Sequence, residues 1–192
     1  MIVQADGQPD PPSNYFETTN PCYEALTASD KVQNPNILGE QSFSMTIPMS
    51  PSGSSSAMSL GVVGIAANGV AIFSNAAAPG DNIYDEVRTF DKCEGHPAGT
   101  TYHYHIEPPT FTNNDSSFVG VMRDGNPIYG RTQEGGGAPS LDANGGETGT
   151  TPDSSSAIYH YHVHLQTDGM DTAYFITSGN YNNTAGACSG CN

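Results

Sequence analysis

Histidine is the residue type whose spacing in this sequence points most directly to chemistry. Tyr102-His103-Tyr104-His105 returns as Tyr159-His160-Tyr161-His162, and Val163-His164 extends the second copy. Alternation at period two is typical of a β-strand, on which the histidines share one face and the tyrosines share the other. Histidines two residues apart on a strand have Cβ atoms roughly 6.5–7 Å apart, so their ring nitrogens can reach one metal ion. The predicted ligands are His103, His105, His160, His162 and His164.

One further histidine and three carboxylates lie close to these strings in the sequence. His96 precedes His103 by seven residues, in a glycine-flanked loop that could fold it back as another ligand. Ligating histidines usually donate their other N–H group to a carboxylate or a carbonyl. We therefore expect Asp91, Glu94 and Asp142 to support the ligands from the second shell.

Each Tyr-His-Tyr-His string ends a longer repeat, about residues 60–105 and 118–164. Asn68-Gly69 and Asp124-Gly125 each stand between apolar runs, which predicts two β-hairpins with type I′ turns. The offset is 124 − 68 = 56 for the turns and 159 − 102 = 57 for the strings. Two such copies predict pseudo-twofold symmetry, with the two histidine strands side by side at the axis.

These motifs resemble the YHYH domain family of bacteria and eukaryotes. The resemblance rests on Asp91-Lys92-Cys93-Glu94-Gly95-His96, the segment Asp124–Gly130 and the two strings, which follow in the family's order between about Leu60 and Ile176. In that family an Asp-x-Cys-x-Gly-His segment precedes each string, whereas here Ala143 and Gly146 stand where Cys and His are expected before the second. The resemblance favours a β-domain that binds a ligand through both strings, with a simplified second half.

The ligand set also narrows the identity of the metal. Imidazole-rich ligation without thiolate suits copper, zinc, nickel or iron, and we expect copper(II) in preference to zinc. The segment 81–86, Asp-Asn-Ile-Tyr-Asp-Glu, has ligand types that suit calcium but lacks EF-hand spacing. A solvated acidic loop is the simpler interpretation of that segment.

Composition excludes several classes of partner. Five basic residues against twenty acidic ones give a net charge of −15, which repels nucleic acid and anionic membranes. No apolar run approaches the ~20 residues that cross a bilayer, so membrane insertion is not expected. The scarcity of lysine and the abundance of Gly, Ser, Thr and Asn indicate an extracellular or cell-surface protein. Because residues 1–6 lack a signal-peptide pattern, we expect that such a peptide has been removed.

The four cysteines, Cys22, Cys93, Cys188 and Cys191, suit disulfides in an oxidising compartment. Four cysteines allow three pairings, and the sequence does not choose among them. Cys188-Ser189-Gly190-Cys191 also has the spacing of a redox pair or half a zinc site, but no second Cys-x-x-Cys completes it. We expect structural disulfides that tie the C-terminal tail to Cys22 and Cys93.

The fold class predicted is all-β, a sandwich or barrel-like single domain with long loops. Short apolar runs separated by Gly, Pro, Ser, Thr and Asn carry the prediction, with further strands at 41–49 and 172–178. Residues 23–26 are the only expected helical turn. Residues 1–20, polar and proline-rich, are predicted to form an extended arm on the β-domain of residues 21–192. Such an arm is expected to pack on its own domain or on a neighbouring copy.

Three functions remain open from the sequence. The first is a secreted metal-binding β-domain protein. The second is a structural subunit of an extracellular filament, tube or coat, which self-associates by adding its arm to a neighbour's sheet. The third, a copper-dependent oxidoreductase, is less favoured because a catalytic metal needs an open coordination position, and because the tyrosines are predicted to face away from the histidines.

Overall fold

An eight-stranded β-sheet positions both Tyr-His-Tyr-His strings. The computed structural model describes residues 1–191. Numbered in chain order, the strands of this part of the chain are β1 (Ile2–Ala5), β2 (Phe43–Thr46), β3 (Ser56–Ala57), β4 (Val62–Ala66), β5 (Ala71–Phe73), β6 (Gly95–Ala98), β7 (Thr101–Tyr104), β8 (Phe118–Met122), β9 (Pro127–Tyr129), β10 (Gly146–Thr151), β11 (Ser154–His162), β12 (His164–Asp168), β13 (Asp171–Phe175), β14 (Asn180–Tyr181) and β15 (Cys188–Ser189). The all-β prediction is confirmed, and the fold is an open sandwich rather than a closed barrel.

The two predicted hairpins are present, but their turns are not type I′. β4 pairs with β5 and β8 pairs with β9, as expected. A type I′ turn needs positive φ at both central residues, whereas only the glycine of each pair has it, with φ of 83° at Gly69 and 91° at Gly125. Asn68 and Asp124 instead accept hydrogen bonds from the backbone two residues on. The hairpins therefore have longer loops in which the glycine follows the turn.

The order of strands in the large sheet is β10-β11-β9-β8-β4-β5-β7-β6, which is a palindrome of two equivalent halves. Ile65 of β4 pairs with Val121 of β8, its own counterpart in the repeat (121 − 65 = 56), so the pseudo-twofold axis passes between them. The prediction that the histidine strands lie side by side is wrong. β7 and β11 are five strand steps apart, roughly 24 Å in a flat sheet at about 4.8 Å per step.

The two faces of the sheet separate tyrosine from histidine. Tyr102, Tyr104 and Tyr161 are buried in the largest apolar core, as the alternation predicts. On the histidine face, the small sheet β1-β2-β15 packs over the centre through Phe43 and Met45. Because the central strands are antiparallel and related by the pseudo-twofold axis, both histidine groups lie on this same face, on either side of the small sheet.

The N-terminal arm packs on its own domain. β1 pairs with β2 over four residues, from Ile2 opposite Thr46 to Ala5 opposite Phe43. Tyr15 and Phe16 are buried in the main core, and the Tyr15 hydroxyl donates a hydrogen bond to the Thr89 carbonyl. Of the two placements expected for the arm, its own domain or a neighbouring copy, this structure has the first. The neighbouring strand at 41–49 is confirmed by β2, and that at 172–178 by β13.

A short helix, α1 (Ile83–Glu86), followed by a 3₁₀ turn (Val87–Thr89), occupies the segment interpreted as an acidic loop. The Asn82 side chain accepts a hydrogen bond from the Tyr84 N–H and caps the first turn. The helical turn expected at 23–26 is absent from these described residues. The helix α1 ends at Glu86, and it thereby places this carboxylate close to His96 and His105.

The disulfide pattern differs from the expected cross-link. Cys188 is bonded to Cys191, while Cys22 and Cys93 are free thiols. The tail is instead held by pairing of β15 with β2. Burial, with the negative charge of Asp91 adding to it, raises the pKa of the Cys93 thiol to about 12.

Candidate metal centre

Three histidines converge in the first half of the sheet. The Nε2 atoms of His96 and His103 are 3.1 Å apart, and those of His103 and His105 are 3.0 Å apart. All three side chains are buried. They are one of two sets of His, Cys, Asp and Glu side chains among residues 1–191 that could hold a metal ion.

Strand register and aromatic packing bring these rings together. β6 pairs with β7 so that His96 lies directly opposite His103, and His105 follows two residues later on the same face. The Phe73 ring stacks on His103 with centroids 3.8 Å apart. Phe90 contacts the rings of both His96 and His105. The imidazoles are therefore fixed in orientation before any ion arrives.

The hydrogen bonds at Nδ1 assign the tautomer of each ring. His103 Nδ1 lies 3.0 Å from the Thr101 carbonyl, and His105 Nδ1 lies 2.5 Å from the Ser74 carbonyl, so both Nδ1–H groups donate. His96 Nδ1 lies 2.6 Å from the Thr89 hydroxyl, whose own proton is donated to the Glu86 carbonyl; the Asn34 amide is further away, at 3.5 Å.

All three Nε2 atoms consequently carry lone pairs and face one another. Three acceptors at such short separations repel one another unless a cation lies between them. This is the arrangement that second-shell hydrogen bonds produce at histidine metal sites.

Burial keeps these rings neutral. It lowers the pKa of His96 to about 3, with His105 adding to the effect, and it lowers the pKa of His105 to about 4. Burial and the two neighbouring rings also lower the pKa of His103 well below its ordinary range. At neutral pH the site therefore offers unprotonated nitrogens rather than imidazolium ions.

Glu86 is the fourth polar group of this centre, and the sequence pattern predicts no role for it there. Its Oε2 atom lies 3.6 Å from His96 Nε2 and 3.7 Å from His105 Nε2. Burial, and secondarily the charge of Asp81, raise the pKa of Glu86 to about 6. Asn82, which caps the N-terminus of α1, was the sequence signal that could have indicated a helix beginning before Glu86.

A pocket of about 310 Å³ opens onto the three histidines and Glu86. Phe73, Leu60 and the alanines at 76–78 make most of its wall apolar. The centre can thus be reached from outside, and a metal bound there has space beside it for a water molecule or a small ligand.

The second string forms a separate group with a different donor set. Glu147 of β10 lies directly opposite His160 of β11, in the position that His96 occupies opposite His103. The Glu147 Oε1 atom is 3.4 Å from His162 Nε2 and 3.9 Å from His160 Nε2. When Phe90–His96 is laid over residues 141–147, His96 falls on Glu147. The family's Cys and His positions then fall at Asn144 and Glu147 rather than at Ala143 and Gly146.

His164 belongs to neither group. β11 ends at His162, and His164 begins β12 in a different sheet. Its Nδ1 faces the His162 carbonyl at 2.8 Å, and its Nε2 lies 3.0 Å from the Gln166 amide nitrogen. Both ring nitrogens therefore have protein partners.

The carboxylates predicted to support the histidines serve the other face and the loops. Asp91 accepts a hydrogen bond from the Tyr102 hydroxyl at 2.8 Å, and Asp142 accepts one from the Tyr159 hydroxyl at 3.0 Å. Each also accepts bonds from its own loop's N–H groups, for example from Cys93. Glu94 lies 3.5 Å from Lys31. Tyrosine and histidine alternate between the two faces of the sheet, so a carboxylate that binds a tyrosine lies away from the histidines. The Nδ1 atoms of the first group contact backbone carbonyls and the Thr89 hydroxyl instead.

The acidic segment 81–86, for which a solvated loop was expected in preference to a calcium site, contains the helix α1. Asn82 caps the helix, and Glu86 turns toward the histidines. Neither set of side chains that could hold an ion among residues 1–191 includes a residue of this segment.

Within residues 1–191, no helix is long and apolar enough to cross a membrane.

Part of the chain is similar to a known protein family. Residues 44–135 match the model of the YHYH protein family. The match covers 92 of the 192 residues, slightly less than half of the chain. The matched residues include Glu86, His96, His103 and His105, so the whole first centre is part of the YHYH match, which ends before Glu147 and the second string. No curated protein and no solved structure matches the chain.

Proposed function

We propose that this protein binds a transition-metal ion, copper in preference to zinc, through the Nε2 atoms of His96, His103 and His105. The single observation that carries the proposal is the convergence of three buried lone pairs with no donor between them. Moving the proton of His103 or His105 to Nε2 would break the Nδ1–H hydrogen bond that each ring donates to a backbone carbonyl. A cation removes the repulsion between the lone pairs.

The separations of the nitrogens support copper. Two nitrogens at ~2.0–2.1 Å from one ion are about 2.9 Å apart at a right angle and about 3.4 Å apart at a tetrahedral angle. The separations of 3.0 and 3.1 Å are closer to the right angle. Tetragonal geometry is the preference of copper(II), whereas zinc sites are usually tetrahedral.

Glu86 supplies the charge balance for such an ion. Its carboxylate lies within 4 Å of two of the three ring nitrogens and lines the pocket. A divalent cation lowers the pKa of this carboxyl, and the ionised form then either ligates directly or accepts a hydrogen bond from a bound water. Loss of the charge weakens the site without removing the three nitrogens.

The experiment is a copper(II) titration of protein stripped with a chelator, followed by calorimetry and electron paramagnetic resonance. We expect one tight site per chain whose spectrum shows nitrogen hyperfine structure, and His103→Ala lowers its affinity at least 100-fold. His164→Ala is the matched control, because His164 is in the same motif but outside both groups. Equal copper affinity in wild type and the His103→Ala variant, both folded by circular dichroism, would sink the proposal.

The proposal includes an extracellular setting. The Cys188–Cys191 disulfide and the net charge of −15 support it, since disulfides persist in oxidising compartments. Fractionation of the native host cells, with the protein traced by antibody, tests it. Recovery in the cytosol alone would contradict it.

Self-association stays a prediction, and sedimentation velocity of the purified chain distinguishes a monomer from a polymer.

A copper-dependent oxidoreductase is the second candidate, favoured by the pocket that opens onto the centre. The tyrosines do not support it, since Tyr102 and Tyr104 are buried on the opposite face. Oxygen consumption by copper-loaded protein with ascorbate as the reductant tests it. A rate no higher than that of the His103→Ala variant with the same added copper would exclude this activity.

A further inference from the structure

We infer that Glu147, His160 and His162 form a second metal site, separate from the three-histidine centre and built for a divalent cation that accepts a carboxylate ligand. The group lies five strand steps from the first, so the two cannot share an ion. The inference depends only on residues of the second half and stands or falls independently of the copper proposal.

The strongest observation is an unpartnered nitrogen. His162 is 1% exposed, and its Nε2 atom is buried without a hydrogen-bond partner. Its Nδ1 lies 2.7 Å from the Gly130 carbonyl, so the Nδ1–H donates there and Nε2 carries a lone pair. A buried polar atom without a partner is costly, and here it points toward a carboxylate.

His160 repeats the arrangement. Its Nδ1 lies 3.0 Å from the Ile158 carbonyl, so its Nε2 also presents a lone pair toward Glu147. The Tyr129 ring packs edge-on against His160, at the position where Phe73 stacks on His103 in the first half. Two lone pairs and one carboxylate thus face a common point. Only a cation or an added proton reconciles them.

The long glycine-rich loop holds Glu147 ready for this role. The Gln133 amide donates to both carboxylate oxygens, at 2.7 and 3.0 Å, and the Ser140 N–H donates to Oε2 at 2.8 Å. Oε1 is left nearest to the histidines. Three donated hydrogen bonds favour the ionised form of the carboxylate over the protonated form.

The donor set determines the class of ion. Two imidazoles with one carboxylate are the ligands of non-haem iron(II) sites and also suit zinc, whereas three imidazoles suit copper. Exchange of His96 for Glu147 between the halves therefore changes the preferred metal. The duplicated fold carries two sites of different selectivity on the same face of one sheet.

The test is equilibrium dialysis of the full chain against zinc, with metal analysis, for wild type and two single variants. We expect two zinc ions per wild-type chain, since zinc also fits three imidazoles. Glu147→Gln keeps the shape of the side chain and removes its charge, and it should weaken one of the two sites at least 30-fold. His96→Gln is the matched control, because it changes the equivalent position of the other half.

The outcomes separate the two proposals. One zinc ion per chain that is lost in Glu147→Gln and kept in His96→Gln supports the second site even if the first binds nothing. If Glu147→Gln does not fold, His162→Gln, checked by circular dichroism, takes its place. A wild-type chain whose zinc number and affinity are unchanged in these variants would overturn the inference and point to a protonated histidine paired with Glu147.

Discussion

His96 and Glu147 occupy equivalent positions in the two halves of the sheet, each directly opposite the first histidine of a Tyr-His-Tyr-His string. The backbone around them is equally alike: the N–H of Asp91 donates to the Gly95 carbonyl, and that of Asp142 donates to the Gly146 carbonyl. The halves therefore differ at this point in ligand chemistry rather than in fold.

This equivalence predicts that Glu147→His creates a second copper site. The new imidazole would face His160 from the position in which His96 faces His103, giving three nitrogens in place of two. We expect the copper(II) stoichiometry to rise to two per chain, with at least tenfold tighter binding at the second site than in wild type. Glu40→His, at an exposed position, is the control for a histidine added at random.

Copper spectra with nitrogen hyperfine structure from both sites would support this prediction. A second site no tighter than in Glu40→His would contradict it, and would show that Gln133 and Ser140 are needed to hold whatever side chain stands at position 147.

A second prediction concerns Gly95, which links the two faces of the first half. A Cβ atom at Gly95 would lie 2.5 Å from the Tyr102 hydroxyl, so Gly95→Ala must displace that ring from Asp91. We expect a loss of about 1–3 kcal/mol in the free energy of unfolding. Because His96 is the next residue, copper affinity should fall as well.

Urea denaturation and copper titration measure the two effects. Gly149→Ala is the matched control, since a Cβ atom there meets only His160 Cε1 at 3.7 Å, an ordinary contact. If Gly95→Ala were as stable as Gly149→Ala, the tight packing of Tyr102 against this loop would be refuted.

Local pattern predicted the strands, the hairpins and the assignment of tyrosine and histidine to opposite faces, because each follows from periodicity within a few residues. It did not predict the separation of His103 from His160, because that depends on which strands pair at the centre of the sheet. Pairing of Ile65 with Val121 places both hairpins between the two histidine strands. No short-range signal encodes that choice.

The sequence pattern does not single out Glu86 and Glu147, for two different reasons. Glu86 reaches the first centre because a single helical turn forms in a segment that reads as an acidic loop. Glu147 is hidden because the expected histidine position before the second string falls on Gly146 when the family pattern is placed one residue out of register. On strand β10, a shift of one residue moves a side chain to the other face of the sheet. Gly146 and Glu147 therefore lie on opposite faces, and Glu147 is the one that shares a face with His160.

The free cysteines give a third prediction. Cys93 is buried and the pKa of its thiol is raised to about 12, while Cys22 is half-buried. In native, unreduced protein we expect Cys22 to react with Ellman's reagent and Cys93 to react at least about 100-fold more slowly. Both should react once the chain is unfolded in guanidinium. Finding no reactive thiol in unfolded protein would instead favour cross-links that involve Cys22 and Cys93.

The lowered pKa values predict how the metal-free protein responds to acid. His96 and His105 have folded-state pKa values of about 3 and about 4, below their ordinary value of 6.5. Between these limits the unfolded chain binds more protons than the native chain, so stability falls as pH decreases from about 6.5. Glu86, whose pKa is raised to about 6, opposes this trend with a smaller shift.

Urea denaturation between pH 7.5 and pH 4 measures this dependence. His96→Gln removes one of the three buried imidazoles of this centre, so its free energy of unfolding should decline less steeply with acidification than that of wild type. A wild-type curve that is flat over this range, or one no steeper than that of the variant, would contradict the neutral, buried state of the ring.

The most direct measurement of the central claim is an anomalous difference map of copper-loaded crystals, recorded on both sides of the copper absorption edge. The structure predicts a peak within about 2.0–2.1 Å of the Nε2 atoms of His96, His103 and His105, with every Nδ1 still bonded to its present partner. A map with no peak between these rings, or with copper bound through Nδ1, would contradict it.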